Sequence, residues 1–155
     1  KLNVSVGDNT DSLRIFAVDR NQQEDSHRFV WSGSGDASLA LASNALLDLS
    51  RESNAAVAVE LDYKVDAIGA GPVRLLAYGA DLSPAGKGID VGPLFKAAAG
   101  KGWQTLSIPL SCFARTGLDM TQLQSPISIQ SSSMLDLSIS RIALGTSARG
   151  VIDCR

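Results

Sequence analysis

The chain has 155 residues, a formal net charge of −2 with the signs interspersed, two cysteines and one histidine. That length suits one domain whose core closes without metal or several disulfides, and the charge offers no basic field for nucleic acid. No apolar run approaches the roughly 18 residues of a membrane-spanning helix, and a start at Lys1 without a signal-peptide pattern reads as a mature form or a piece of a longer polypeptide.

Apolar alternation defines the elements. Leu13 to Val18 is a short apolar run, and Arg28 to Trp31 alternates with Phe29 and Trp31 on one side. Leu39 and Leu41 share a face. Val57, Val59, Leu61, Tyr63 and Val65 alternate with Ala58, Glu60, Asp62 and Lys64, as in a half-buried antiparallel strand. A turn from Gly69 to Pro72 leads into an apolar strand from Val73 to Tyr78. No helix follows Gly69 and Gly71, so they do not form a phosphate-binding loop.

Pro93 to Ala99 reads as one to two helical turns, stopped by Gly100. From Trp103 a strand sends Leu106, Ile108 and Leu110 to the core and Trp103 to the opposite side. Pro109 falls on that opposite phase, where only an edge position or a bend tolerates it. Ser111 to Phe113 reads as a turn, and Asp119 to Leu123 as a further helical turn. Ile127 and Ile129 form a short strand; Leu135, Leu137 and Ile139 alternate against Asp136, Ser138 and Ser140 in a strand that continues to Leu144. About eight short strands with Gly, Ser and Asp turns predict an all-β fold, a single jelly-roll β-sandwich over residues 1–155.

Little in the chain reads as catalytic. His27 is the only histidine, nothing marks a nucleophile–histidine set around it, and a surface place near a strand start accounts for it. Asp19 to Asp25 alternates side-chain oxygens, which makes Glu24 and Asp25 candidates for a structural calcium; the EF-hand pattern itself fails, because Glu24 stands where glycine is needed. Solvated turn polarity is the alternative. Cys112 and Cys154 fit no zinc spacing; they either pair, tying the C-terminus to the turn after the Pro109 strand, or stay two thiols.

Sugar recognition needs an aromatic face for pyranose C–H surfaces and polar groups for hydroxyls. Of eight aromatic residues, Phe16, Phe29, Phe95 and Phe113 read as core or staple residues, and Trp31 and Tyr63 fall on inward phases. Trp103 faces away from the core, Tyr78 and Arg74 share a phase, and Gln130 ends a short strand. Trp103, Tyr78, Arg74 and Gln130 are therefore the candidate carbohydrate-binding residues.

Several blocks in register carry a resemblance. They are Gln23-Glu24-Asp25 leading to Arg28-Phe29-Val30-Trp31-Ser32-Gly33, then Leu47-Asp48-Leu49-Ser50-Arg51-Glu52-Ser53, and Leu61-Asp62-Tyr63-Lys64-Val65-Asp66. Trp103 to Phe113, Gly117-Leu118-Asp119-Met120, Ser125-Pro126-Ile127 and Leu135 to Ile139 follow. Over nearly its whole length the chain resembles the ExoP-type, galactose-binding-like domain at the C-terminus of bacterial family 3 glycoside hydrolases, the exo-acting β-glucosidases and β-glucanases.

The resemblance implies a sandwich similar to carbohydrate-binding modules, export to the periplasm or outside the cell, and catalytic residues in other domains of the same polypeptide. It implies a non-catalytic module that binds or positions β-glucan or gluco-oligosaccharide. A purely structural domain that stabilises or oligomerises the parent enzyme is the alternative. No cofactor is required in either case.

Overall fold

A computed structural model describes residues 2–6, 12–21, 25–81, 88–146 and 149–154. Two five-stranded antiparallel sheets face each other. With strands numbered along the chain, the first sheet has the spatial order β1 (Leu2–Val6), β4 (Ala37–Ser43), β9 (Leu123–Ser131), β6 (Val73–Gly79), β7 (Ile89–Asp90). The second has the order β2 (Leu13–Val18), β3 (Ser26–Trp31), β10 (Leu135–Gly145), β5 (Ala58–Ile68), β8 (Trp103–Pro109). Three short helices, α1 (Ser50–Asn54), α2 (Gly92–Ala98) and α3 (Leu110–Ala114), lie in the connections. This is the expected jelly-roll β-sandwich, with β1 and β7 added at the margins of the first sheet.

The core follows from side-chain alternation. β5 sends Val59, Leu61, Tyr63 and Val65 inward, each at most 3% exposed, against β6, β9 and α2 residues of the opposite layer. Trp31 is fully buried, and its indole N–H donates to the Ala37 carbonyl (3.0 Å), which joins the two sheets at the β3–β4 connection. Phe16 departs from the expected core role. It is 45% exposed on the outer side of β2, with the Arg28 guanidinium 5.9 Å from its ring centre. β2 is an edge strand, and an apolar run there does not guarantee cover on both sides.

Two prolines show how the sheets tolerate a missing N–H. Pro109 is the last residue of β8, and β8 is the terminal strand of its sheet. Leu110 then opens α3, so it is buried as expected but from a helix, and the Ser111–Phe113 turn is helical. Pro126 lies within central β9, where the pairing with β6 shifts register; the Ser125 hydroxyl reaches the Leu41 carbonyl (2.8 Å) there.

The open edge of β8 is closed by the chain's own C-terminal strap, residues 149–154. Ser107 donates its N–H to Gly150 O (2.8 Å), and Ile152 donates its N–H to Ser107 O (3.1 Å), a parallel bridge on the edge strand. The Ser107 hydroxyl adds a bond to Arg149 O (2.7 Å). Cys154 ends the strap in a disulfide to Cys112 of α3, so the two cysteines pair.

Two stability tests follow. Replacing both cysteines by serine frees a loop spanning 42 residues of sequence; the expected loss is about 2–4 kcal/mol, read from denaturant unfolding. Gly150 adopts φ +63°, and a Cβ there would overlap the Thr105 carbonyl. Gly150→Ala is expected to lift the strap from β8 at a cost of about 2 kcal/mol. Hydrogen exchange at the Ser107 and Ile152 amides should quicken; unchanged protection would refute the pinning role of this glycine.

Candidate functional site

The outer face of the second sheet carries Trp103. Alternation that buries Leu106 and Ile108 turns Trp103, Thr105 and Ser107 of β8 outward, in register with Lys64, Asp62 and Glu60 of β5. Trp103 is half-buried. The Arg20 guanidinium lies 4.5 Å from its ring centre, and Lys64 Nζ lies 5.7 Å away. Arg20 is itself fixed: its Nη1 donates to Ser140 Oγ (2.6 Å) and approaches Asp62 Oδ2 (3.4 Å), while the Thr105 hydroxyl donates to Asp62 Oδ1 (3.0 Å). The result is an aromatic ledge with a guanidinium over its ring and a carboxylate and hydroxyls beside it; the carboxylate and hydroxyls stand on strands, and Arg20, which follows β2, is held by its bonds to Ser140 and Asp62. Across the same face Arg28 grips Asp136 with two bonds (2.8 and 2.5 Å), and that hydrogen bonding holds the guanidinium above its already high pKa.

The other three candidates sit on the opposite side of the molecule. Arg74 of β6 pairs in register with Gln130 of β9, which pairs with Ser38 of β4; Arg74 also pairs with Asp90 of β7. These four residues form a polar row across the first sheet. Tyr78 lies further along β6, opposite Ser125. The next row, Leu76 and Ser128, is buried at 4% and 1% exposure, so this face is covered there. Arg74 and Tyr78 share a strand phase, and sheet register adds Gln130 to their face; Trp103 belongs to the other face, and the four do not make one site.

Both long edges of the sandwich open into cavities that alternation alone does not reveal. Between β3–β10 and β4–β9 lies an apolar slot of about 210 Å³, lined by Phe29, Leu39, Ile127, Ile139 and Ile142, with exposed His27 at its margin. At the other edge, between α2 and the C-terminal strap, lies a mixed polar and apolar groove of about 490 Å³. Tyr63, Asp90, Leu94, Gln104, Val151 and Ile152 line it.

The calcium candidates divide between residues inside and outside the described set. Glu24 lies outside the described residues. Asp25 uses its carboxylate to close its own loop, accepting the N–H groups of Arg20 (2.6 Å) and Asn21 (3.0 Å) and the Ser26 hydroxyl (3.2 Å). Among the described residues no group of three or more His, Cys, Asp or Glu side chains is placed to hold a metal ion.

Comparison with known proteins gives the context. The chain is similar to the extra C-terminal domain of an exo-1,3/1,4-β-glucanase (ExoP) from a Pseudoalteromonas species, at 24% identity and a TM-score of 0.73, over 93% of this chain and 78% of that one. It also aligns with the complete enzyme at 26% identity and a TM-score of 0.71; 91% of this chain is covered, but only 16% of that protein. A family 30 carbohydrate-binding module from a cellulosomal cellulase of Clostridium thermocellum shares the fold, with 16% identity, a TM-score of 0.63 and coverage of 96% and 91%. No curated protein matches the chain. The Exop_C family model, described as galactose-binding domain-like, matches residues 3–144, and the chain belongs to that family.

Proposed function

We propose that this domain is a non-catalytic carbohydrate-binding or substrate-positioning module of a family 3 glycoside hydrolase that degrades β-glucan in the periplasm or outside the bacterial cell. Its partners are then a β-glucan or gluco-oligosaccharide and the catalytic domains of the same polypeptide. The observation that carries this reading is the Trp103 ledge, a half-buried indole with the Arg20 guanidinium over its ring and Asp62, Lys64 and Thr105 beside it on β5 and β8. An aromatic plate beside fixed donors and acceptors suits the apolar face and hydroxyl rim of a pyranose. Two similar structures support it: an extra C-terminal domain of an exo-1,3/1,4-β-glucanase and a carbohydrate-binding module of a cellulase. The Cys112–Cys154 disulfide supports export, because such bonds persist in oxidising compartments. It also removes both thiols from any nucleophilic role.

The apolar slot at the β3–β4 edge favours a second reading, a structural role against the parent enzyme. Ile15, which pairs with Phe29 at that edge, is 40% exposed.

Two measurements separate these readings. Titration with cello- and laminari-oligosaccharides at millimolar concentration should give heat and NMR shifts. Trp103→Ala should weaken the binding by about fivefold to tenfold; absence of any heat or shift in the native chain would remove the binding claim. For the structural reading, deleting the domain from the full-length enzyme should lower its thermal midpoint while leaving KM for polymeric substrate unchanged. A raised KM with an unchanged midpoint would decide for the module.

A further inference from the structure

We infer that the groove between α2 and the C-terminal strap is a saccharide-binding site, separate from the Trp103 ledge, in which the Tyr63 hydroxyl and the Gln104 amide contact sugar hydroxyls. This rests on the carbohydrate-binding reading and locates a second site for it. The first argument is a phenol at the groove wall whose hydroxyl has no protein partner among the described residues. Tyr63 points along the inward phase of β5, is 3% exposed, stacks on Phe95 at 5.0 Å between ring centres, and lines the groove. Its hydroxyl makes no hydrogen bond among the described residues. The ring is buried but the hydroxyl is not sealed from solvent, so it meets the groove, where a bound hydroxyl can replace water as its partner. Burial also raises the phenol pKa above its usual value, so the group stays protonated and able to donate.

The second argument is the composition of the walls. Gln104 is the register partner of Tyr63 and projects beside it; its Nε2 makes one long bond, 3.4 Å, to Lys101 O. Asp90 accepts the Gly92 N–H through one carboxylate oxygen (2.9 Å). Leu94 and Val151, 38% and 51% exposed, stand on the two sides as apolar walls. A phenol, a primary amide and a carboxylate between apolar walls match the alternating C–H faces and hydroxyls of a neutral sugar. The carboxylates of Asp90 and Asp153 at the groove disfavour phosphate or sulfate ligands. The volume, about 490 Å³, lies in the ordinary range for small-ligand clefts.

The test is oligosaccharide titration of the 155-residue chain and of Tyr63→Phe, Gln104→Ala and Trp103→Ala. Binding in the groove predicts amide shifts at Tyr63, Gln104 and Val151, and a roughly twofold to tenfold loss of affinity in Tyr63→Phe and in Gln104→Ala. It also predicts that Tyr63→Phe keeps or raises the thermal midpoint, because a hydroxyl without a protein partner adds nothing to the fold; a lowered midpoint would show a structural bond and overturn the inference. Shifts confined to the Trp103 ledge, with affinity unchanged in Tyr63→Phe and Gln104→Ala, would overturn the groove and leave the module intact. No binding at any site would overturn both.

Discussion

The edge of β8 is the constraint on which the presented surfaces depend. A terminal strand leaves a row of backbone donors and acceptors unpaired, and such an edge invites pairing with other chains. Here the strap supplies the partners through Ser107, Gly150 and Ile152, and the Cys112–Cys154 bond anchors it to α3. The same strap is one wall of the mixed groove, and the strand it covers carries Trp103 on one side and Gln104 on the other. Closing the edge and shaping the presented surfaces are thus one structural act.

Strand periodicity then distributes the chemistry. A repeat of two sends neighbouring residues to opposite sides of a sheet, so β8 alternates between core and solvent within a few residues. On the second sheet this gives a face laced by Arg20, Arg28, Arg141 and their carboxylate partners Asp62, Asp136 and Glu60. In each pair the carboxylate is largely covered and the guanidinium is partly in solvent, a setting in which one pair contributes modestly to stability. The effect of the pairs is to hold long side chains in fixed places across β3, β10 and β5 and the segment after β2, and the Arg20–Asp62 pair keeps Trp103 from being a loose aromatic. On the first sheet the same logic gives the Ser38–Gln130–Arg74–Asp90 row, which shares no surface with the ledge.

Much of this was legible in the chain, and the failures have physical causes. The clean alternation of β5 and β10 gave their inner faces, and Trp31 and Tyr63 are buried as their phases required. Pro109 announced an edge or bend, and it ends an edge strand. Phe16 was misplaced because an apolar residue on an edge strand reads the same whether or not another layer covers it. Placing Arg74 and Trp103 on different faces needs sheet order, which no local pattern encodes. The groove escaped for a related reason: it arises where the margins of two sheets meet. Its one trace in the sequence is a tyrosine at a position where the neighbouring valines and leucine would have sufficed.

The two tryptophans occupy opposite physical situations. Trp31 is sealed in an apolar interior with its N–H committed to Ala37, whereas Trp103 lies half-open beneath a guanidinium. Indole emission depends on the polarity and charge around the ring. The chain therefore contains two native indole fluorophores, one reporting the integrity of the interior and the other the electrostatic state of the outer ledge, with no extrinsic label attached.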